Sequence, residues 1–134
     1  MRKSLLFLLA APLLAAAPAV ARCPDTPPLI ADGTVEFGIG SAALGPDDLG
    51  EVHDLAARAA MRGVPHICVY GSASRRDEGV LAESLALDRA EAVAAELRAA
   101  GVPMSAIEVV PVAGGDGLMG SLGGERRVDI VFEP

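Results

Sequence analysis

The sequence predicts an α/β two-layer sandwich in the order β-α-β-α-β-β, with both main helices on one face of a mixed sheet. Three observations carry this expectation. Short stretches of alternating apolar and polar residues read as strands. Two longer stretches between them repeat apolar residues at helical spacing. The 134 residues give room for one domain and not two.

Each element has its own justification. Residues 22–32 hold Pro24, Pro27 and Pro28 and read as an extended N-terminal arm. Thr34 to Ile39 alternates, with Val35, Phe37 and Ile39 on one face, and is expected to be a strand with one buried side. Pro46 followed by Asp47 and Asp48 opens a helix, since proline suits its first turn and carboxylates suit its positive end. Leu49, Val52, Leu55, Ala56 and Ala59 form its apolar stripe, and Gly63 ends it. His66 to Tyr70 is a second strand, with Ile67 and Val69 toward the core and His66, Cys68 and Tyr70 on the other side. The longest helix is expected over Leu81 to Ala100, with Leu81, Leu85, Val93 and Leu97 inward and Gly101 at its end. Ile107 to Ala113 is a third strand. The glycine-rich stretch Gly114 to Gly124 is a loop, and Val128, Ile130 and Phe132 alternate in a final strand. Two helical crossovers require parallel neighbours and set both helices on one face of the sheet.

The first 21 residues stand apart. Arg2 and Lys3 precede an apolar run from Leu5 to Leu14, which gives way to Ala19-Val20-Ala21. A basic start, a short apolar centre and an A-x-A ending mark a secretory signal peptide. The run is shorter than the ~20 residues that a membrane-spanning helix needs. Cys23 lies near the cut, but Arg22 stands before it where a lipoprotein signal takes a small residue. Cleavage after Ala21 leaves an exported chain with no transmembrane span, divided into the arm at 22–32 and a domain at 33–134.

Loss of Arg2 and Lys3 with the leader takes the formal net charge from −7 to −9. That sign is wrong for a nucleic-acid partner held by phosphate neutralisation. Aromatic residues make up 3% and Trp is absent, so stacking platforms for bases or sugars are not available. The 51% apolar content excludes a disordered chain.

Enzymatic readings find little support. Gly38-Ile-Gly40-Ser-Ala-Ala43 fits a dinucleotide fingerprint by letter, but the helix starts several residues late and no acidic residue ends the second strand. A nucleophilic centre needs a Ser or Cys with a His base and an orienting acid. His53, expected on the solvent face of its helix, and His66, at the start of a strand, pair with Ser72, Ser74 or Ser84 at no recognisable spacing. Two His and two Cys scattered over the chain match no metal-ligand pattern. No catalytic residue, metal site or cofactor is expected.

Cys23 and Cys68 are the two cysteines, and an exported protein meets an oxidising compartment. Cys68 lies on the sheet face that the helices leave open, and the arm carrying Cys23 can cross it. Closure of the loop between them would contribute about 4 kcal/mol on the chain-entropy model. Two free thiols, with Cys68 simply packed, are the alternative.

The mature chain resembles the OmpA-like domain, the periplasmic peptidoglycan-binding module also found in Pal lipoproteins and flagellar motor proteins. The resemblance covers roughly residues 34 to 133. Phe37-Gly-Ile-Gly40-Ser41-Ala42-Ala-Leu44 looks like the family's F-x-x-G-S-A-x-L segment. Ile67-Cys-Val69-Tyr-Gly71-Ser-Ala73-Ser74 looks like I-x-V-x-G-x-A/T-D. Leu85-Ala-Leu-Asp-Arg89-Ala90-Glu-Ala-Val93 matches L-S-x-x-R-A-x-x-V, followed by Gly101-Val102. Arg126-Arg127-Val128-Asp129-Ile130 matches N-R-R-V-x-I without its Asn.

The resemblance implies a non-enzymatic module of the cell envelope that binds the diaminopimelate part of the peptidoglycan stem peptide. The family uses an Asp after the second strand for the ligand ammonium and an Arg fifteen residues later for its carboxylate, a pairing that suits a zwitterion. Here the Arg is Arg89, while Ser74 occupies the Asp position, Ala82 the position of a family Asn, and Glu125 that of the Asn before the arginine pair. The anion half of the site is kept and the cation half is not, with Asp77 or Glu78 of the same loop as a substitute. Arg89 has a second reading, as an arginine on the helix surface or one that pins a loop. Binding of the wall weakly or in a modified way through Ser74, Asp77 and Arg89 is therefore the expectation. A fold that has lost the ligand and instead docks another envelope protein is the alternative. The periplasm, in association with the wall or the outer membrane, is the expected location.

Overall fold

The structure, a computed structural model, describes residues 22–74, 82–112 and 126–134. The expected leader at 1–21, Asp77 and Glu78, and the glycine-rich loop at 114–124 lie outside the described residues. The elements are β1 (Gly33–Glu36), α1 (Pro46–Arg62), β2 (His66–Ser72), α2 (Ala82–Ala99), a short 3-10 turn at Met104–Ala106, β3 (Ile107–Val112) and β4 (Arg127–Glu133). This is the predicted α/β order. Among the described residues no helix is long and apolar enough to cross a membrane.

The sheet runs β1-β4-β2-β3. β2 and β3 are parallel neighbours, with Cys68 opposite Glu108 and Tyr70 opposite Val110. β4 is antiparallel to both β1 and β2. The first crossover departs from expectation here, because β1 and β2 run in the same direction but β4 lies between them. A helical crossover fixes strand direction, not adjacency. β4 suits the central place because Val128, Ile130 and Val131 together bury both of its faces.

α1 begins where Pro46 predicts, and the Asp48 carboxylate accepts a hydrogen bond from the Gly45 N–H at 3.0 Å. Gly63 ends it in the left-handed conformation at φ 62°, which an L side chain adopts only with strain. Val52, Leu55, Ala56 and Ala59 of α1 meet Ala90, Val93 and Leu97 of α2 and Val35, Ile67, Val69, Val128 and Ile130 of the sheet. These side chains form the main core. Ile39 is a correction: it is 61% exposed and does not share the buried face of Val35 and Phe37. The β1 ladder ends with one further bond, from the Phe37 N–H to the Arg126 carbonyl at 2.7 Å. The chain then turns, with the Ser41 N–H donating to the Gly38 carbonyl and Gly40 at φ 67°, so strand alternation no longer applies at Ile39.

The opposite face carries a smaller buried cluster of Cys23, Cys68, Tyr70 and Val131, packed by Ala31, Val110 and Val112. The arm covers it, and Cys23 and Cys68 are joined by a disulfide with Cα atoms 5.8 Å apart. Polar contacts fasten the arm at both ends. The Tyr70 hydroxyl donates to the Pro24 carbonyl at 2.9 Å, and the Cys23 N–H to a Glu108 carboxylate oxygen at 3.0 Å. At the other end the Phe132 N–H donates to the Asp32 carboxylate at 2.7 Å, and the Asp32 N–H to the Ile130 carbonyl at 2.9 Å.

Candidate functional site

Arg89 is the residue around which a site is built. It lies in α2 one turn past Ala86 and beside Ala90, on the face that packs against β2. These alanines are small, and Gly71 of β2 lets the helix come closer still. A Cβ at Gly71 would run into the Ala86 carbonyl and lie 2.8 Å from the Ala90 Cβ. The close approach carries the Arg89 side chain under the end of β2 and the loop that leaves β1.

There the guanidinium is fully buried. Its Nε donates to the Ser41 carbonyl at 2.7 Å, one Nη to the Ser72 carbonyl at 3.1 Å, and the other Nη to the Gly38 carbonyl at 2.9 Å. The Phe37 ring lies beneath it, 5.5 Å from centroid to guanidinium carbon. An arginine suits this place because its planar fork offers several donors in fixed directions. The arrangement ties two backbone segments, 38–41 and the end of β2, to one helix. The reading of Arg89 as a helix-surface residue is therefore excluded, and the geometry of a loop-pinning arginine is present.

Ser74 follows two residues after Ser72 and is buried. The Ser72 hydroxyl donates to the Arg127 carbonyl at 3.2 Å, which joins the end of β2 to β4. Arg126, immediately before β4, carries a buried Nε with no hydrogen-bond partner among the described residues. Ser74 and Arg89 thus belong to the same corner of the domain, and Arg126 lies beside the β1 exit through its carbonyl bond to Phe37. The third residue of the expected site, Asp77, lies outside the described residues. The carbonyls of Gly38, Ser41 and Ser72 were not legible as partners of Arg89, since backbone acceptors leave no mark in a sequence.

The two histidines differ sharply. His53 is exposed on α1, as expected, and its Nε2 lies 3.3 Å from a Glu96 carboxylate oxygen on α2. Such an exposed pair contributes little. His66 is buried at the start of β2, with Nε2 3.3 Å from Glu108 and 3.4 Å from the sulfur of Cys23. Spacing along the chain showed no ligand pattern, yet the fold places ligand atoms of Cys23, His66 and Cys68 within 4.8 Å of one another. The signal that could have found this group is parity: Cys68 and His66 share a face of β2, and Glu108 stands opposite Cys68 in the register.

Tyr70 lies on this open face as well. Burial, and then the negative charges of Glu133, Glu108 and Asp25, push its phenol above the usual 10.0.

The sheet order and the two helices on one face are the fold of the OmpA-like periplasmic domains. The chain is similar to the OmpA-like domain of FopA1 from Francisella tularensis subsp. tularensis SCHU S4, with a TM-score of 0.63 at 20% identity over 72% of this chain and 68% of that one. It is also similar to the peptidoglycan-associated lipoprotein of Burkholderia pseudomallei, with a TM-score of 0.61 at 25% identity over 75% of this chain and 89% of that one. The C-terminal domain of Helicobacter pylori MotB gives a TM-score of 0.59 at 22% identity over 76% of this chain and 84% of that one. No family model matches the sequence, and no curated protein matches it.

Proposed function

We propose that the protein is a non-enzymatic module of the periplasm that engages peptidoglycan through the corner around Arg89. On this reading residues 1–21 are a cleaved leader, 22–32 an arm, and 33–134 the binding domain. The observation that carries it is the placement of Arg89 at the junction of the β1 exit and the end of β2, in a fold shared with a peptidoglycan-associated lipoprotein. Arg89 has two tasks in this account. It holds the loop floor in shape, and it sets a buried positive charge beneath the place where a ligand carboxylate approaches. Arg126 adds a second cation to the same corner.

The ammonium of the stem-peptide diaminopimelate meets the Ser74 hydroxyl where the resemblance implies a carboxylate, with Asp77, three residues on in the sequence, as a partial substitute. A hydrogen bond to a charged group contributes about 1.5–3 kcal/mol and a hydroxyl replaces it only in part. The interaction is therefore weakened by one to two powers of ten at about 1.4 kcal/mol each. The −9 charge supplies no general attraction to an anionic wall, so binding rests on this local site.

A second reading is favoured by the same guanidinium. Three of its hydrogen bonds go to backbone carbonyls, as in a residue retained for the fold. The domain would then have kept its shape, lost the ligand, and served as a docking module for another envelope protein.

Sedimentation with purified sacculi separates the two. Arg89→Ala is a poor probe, since it leaves three carbonyl acceptors without their donor and weakens the fold itself. Ser74→Asp is the better one, and it is expected to raise the affinity, read from the pelleted fraction over a range of sacculus concentrations, at least about tenfold. Wild-type and Ser74→Asp protein both left in the supernatant would reject wall binding and leave the docking reading.

A further inference from the structure

We propose that reduction of the Cys23–Cys68 disulfide uncovers a binding site for one thiophilic divalent cation of the Zn2+ kind, with Cys23, Cys68, His66 and Glu108 as ligands. The site lies on the arm-covered face of the sheet, on the other side from the two helices.

The donor set is the first argument. Two thiolates with an imidazole and a carboxylate are sulfur, nitrogen and oxygen donors that tetrahedral zinc accepts. Geometry is the second. Zn–S near 2.3 Å, Zn–N near 2.0 Å and Zn–O near 2.1 Å set tetrahedral edges of about 3.5 Å between S and N and about 3.4 Å between N and O. His66 Nε2 already lies 3.4 Å from Cys23 Sγ and 3.3 Å from a Glu108 carboxylate oxygen. Two of the six edges of the polyhedron therefore exist beforehand, and the ligand atoms of Cys23, His66 and Cys68 lie within 4.8 Å of one another. Closing the site takes parting of the two sulfurs to about 3.8 Å once the bond between them is gone, and a turn of the partly exposed Glu108 carboxylate toward them.

The arm also keeps its place without the bond. The Tyr70 hydroxyl holds Pro24 next to Cys23, the Cys23 N–H is bonded to Glu108, and Asp32 anchors the far end. Reduction thus leaves the two thiols facing each other instead of releasing one. Cys23, His66 and Cys68 are buried, while the Glu108 side chain is about one-third exposed, so the carboxylate edge is the way in.

The chemistry balances in two steps. A dithiol reductant transfers two electrons and two protons, becomes a disulfide, and leaves Cys23 and Cys68 as thiols. Zn2+ then forms two Zn–S bonds with release of both thiol protons, while His66 binds as the neutral ring through Nε2. A small-molecule disulfide reverses this: it takes two electrons from the thiolates and two protons from solvent to become a dithiol, the Cys23–Cys68 bond re-forms and the ion is expelled, so disulfide and metal are mutually exclusive occupants.

The experiment is a Co2+ titration of the purified protein, oxidised and after treatment with a phosphine reductant, with circular dichroism recorded on each sample. The reduced, folded protein is expected to take up one ion per chain, with a thiolate-to-cobalt charge-transfer band and the strong visible bands of tetrahedral cobalt. The oxidised protein is expected to show neither. Zn2+ should displace the cobalt and raise the melting temperature of the reduced form alone. Loss of a direct ligand should cost at least as much as loss of an outer-shell partner, so His66→Gln and Glu108→Gln are each expected to weaken binding by about 10–100-fold or more. Absence of the charge-transfer band in reduced, folded protein would overturn the proposal. So would uptake confined to samples that have lost their helical signal, or equal affinity in wild type and both variants.

Discussion

The two faces of the sheet are covered by different means. On one side, α1 and α2 bury Leu55, Val93, Leu97 and their neighbours in a continuous apolar core. On the other, an arm without regular structure is fastened over Cys68, Tyr70 and Val131 by one disulfide and a few hydrogen bonds. The residues explain the difference. The open face presents His66, Tyr70, Glu108 and Asp129 among its apolar side chains, so its polar groups need named partners. Asp129 has them: it accepts from the Thr34 hydroxyl at 2.8 Å and pairs with Arg127 at 3.0 Å. Burial of area is non-directional and tolerates many sequences, whereas a polar face must be matched contact by contact. What stabilises the helical side is therefore packing, and what stabilises the arm side is specific linkage.

Leu55→Ala gives the largest expected effect on the packed side. The side chain is fully buried between helix and sheet, and its loss should lower stability by up to about 5 kcal/mol in urea unfolding. A loss under ~1 kcal/mol would mean that the core closes around the gap. On the arm side, replacing both Cys23 and Cys68 by Ala should reduce stability by about 4 kcal/mol or somewhat less, because the link acts mainly on the unfolded chain. The two losses should differ in kind. The cysteine variant should steepen the dependence on urea, since its unfolded state is more expanded, while Leu55→Ala should leave the slope alone. Equal slopes in both would remove the distinction.

The smallest effect expected is that of Tyr70→Phe, about 1 kcal/mol for the hydrogen bond to Pro24. It also carries a pH signature. The folded protein keeps the phenol protonated beyond its usual 10.0, so the unfolded chain gives up the proton first. Stability from this group is complete below pH 10.0 and falls as the pH rises through the higher folded value. Tyr70 is the single tyrosine and there is no Trp, so phenolate absorbance follows it alone. Wild type should lose stability in alkali more steeply than Tyr70→Phe, and identical alkaline profiles would show that the hydroxyl is not held.

Much of this was legible in local pattern. Pro46, Asp48 and Gly63 set the limits of α1 through the chemistry of helix ends, and strand alternation put Cys68 on the open face with His66 and Tyr70. The arm crosses that face, and of the two states left open for the cysteines the bonded one is found. Non-local choices were not legible. The insertion of β4 between β1 and β2 depends on competition between strand pairings far apart in the chain. Ile39 follows the strand alternation by letter but falls beyond the last ladder bond. Arg89 was nominated by resemblance, yet its depth depends on Gly71 and the small residues Ala86 and Ala90, which act through closeness of backbones. The neighbourhood of Cys23, His66 and Glu108 arises from the parallel register of β2 and β3 and from the path of the arm.

The central claim is that the corner around Arg89 is a binding site for the peptidoglycan stem peptide and not only a brace for two loops. Titration of the protein with a diaminopimelate-containing stem peptide, followed by nuclear magnetic resonance, tests it most directly. The account predicts saturable shifts of the Arg89 Nε–H and of the backbone amides at 38–41 and 72–74, with the arm at 22–32 unmoved. Unchanged resonances at millimolar peptide, or shifts confined to the arm-covered face, would contradict it.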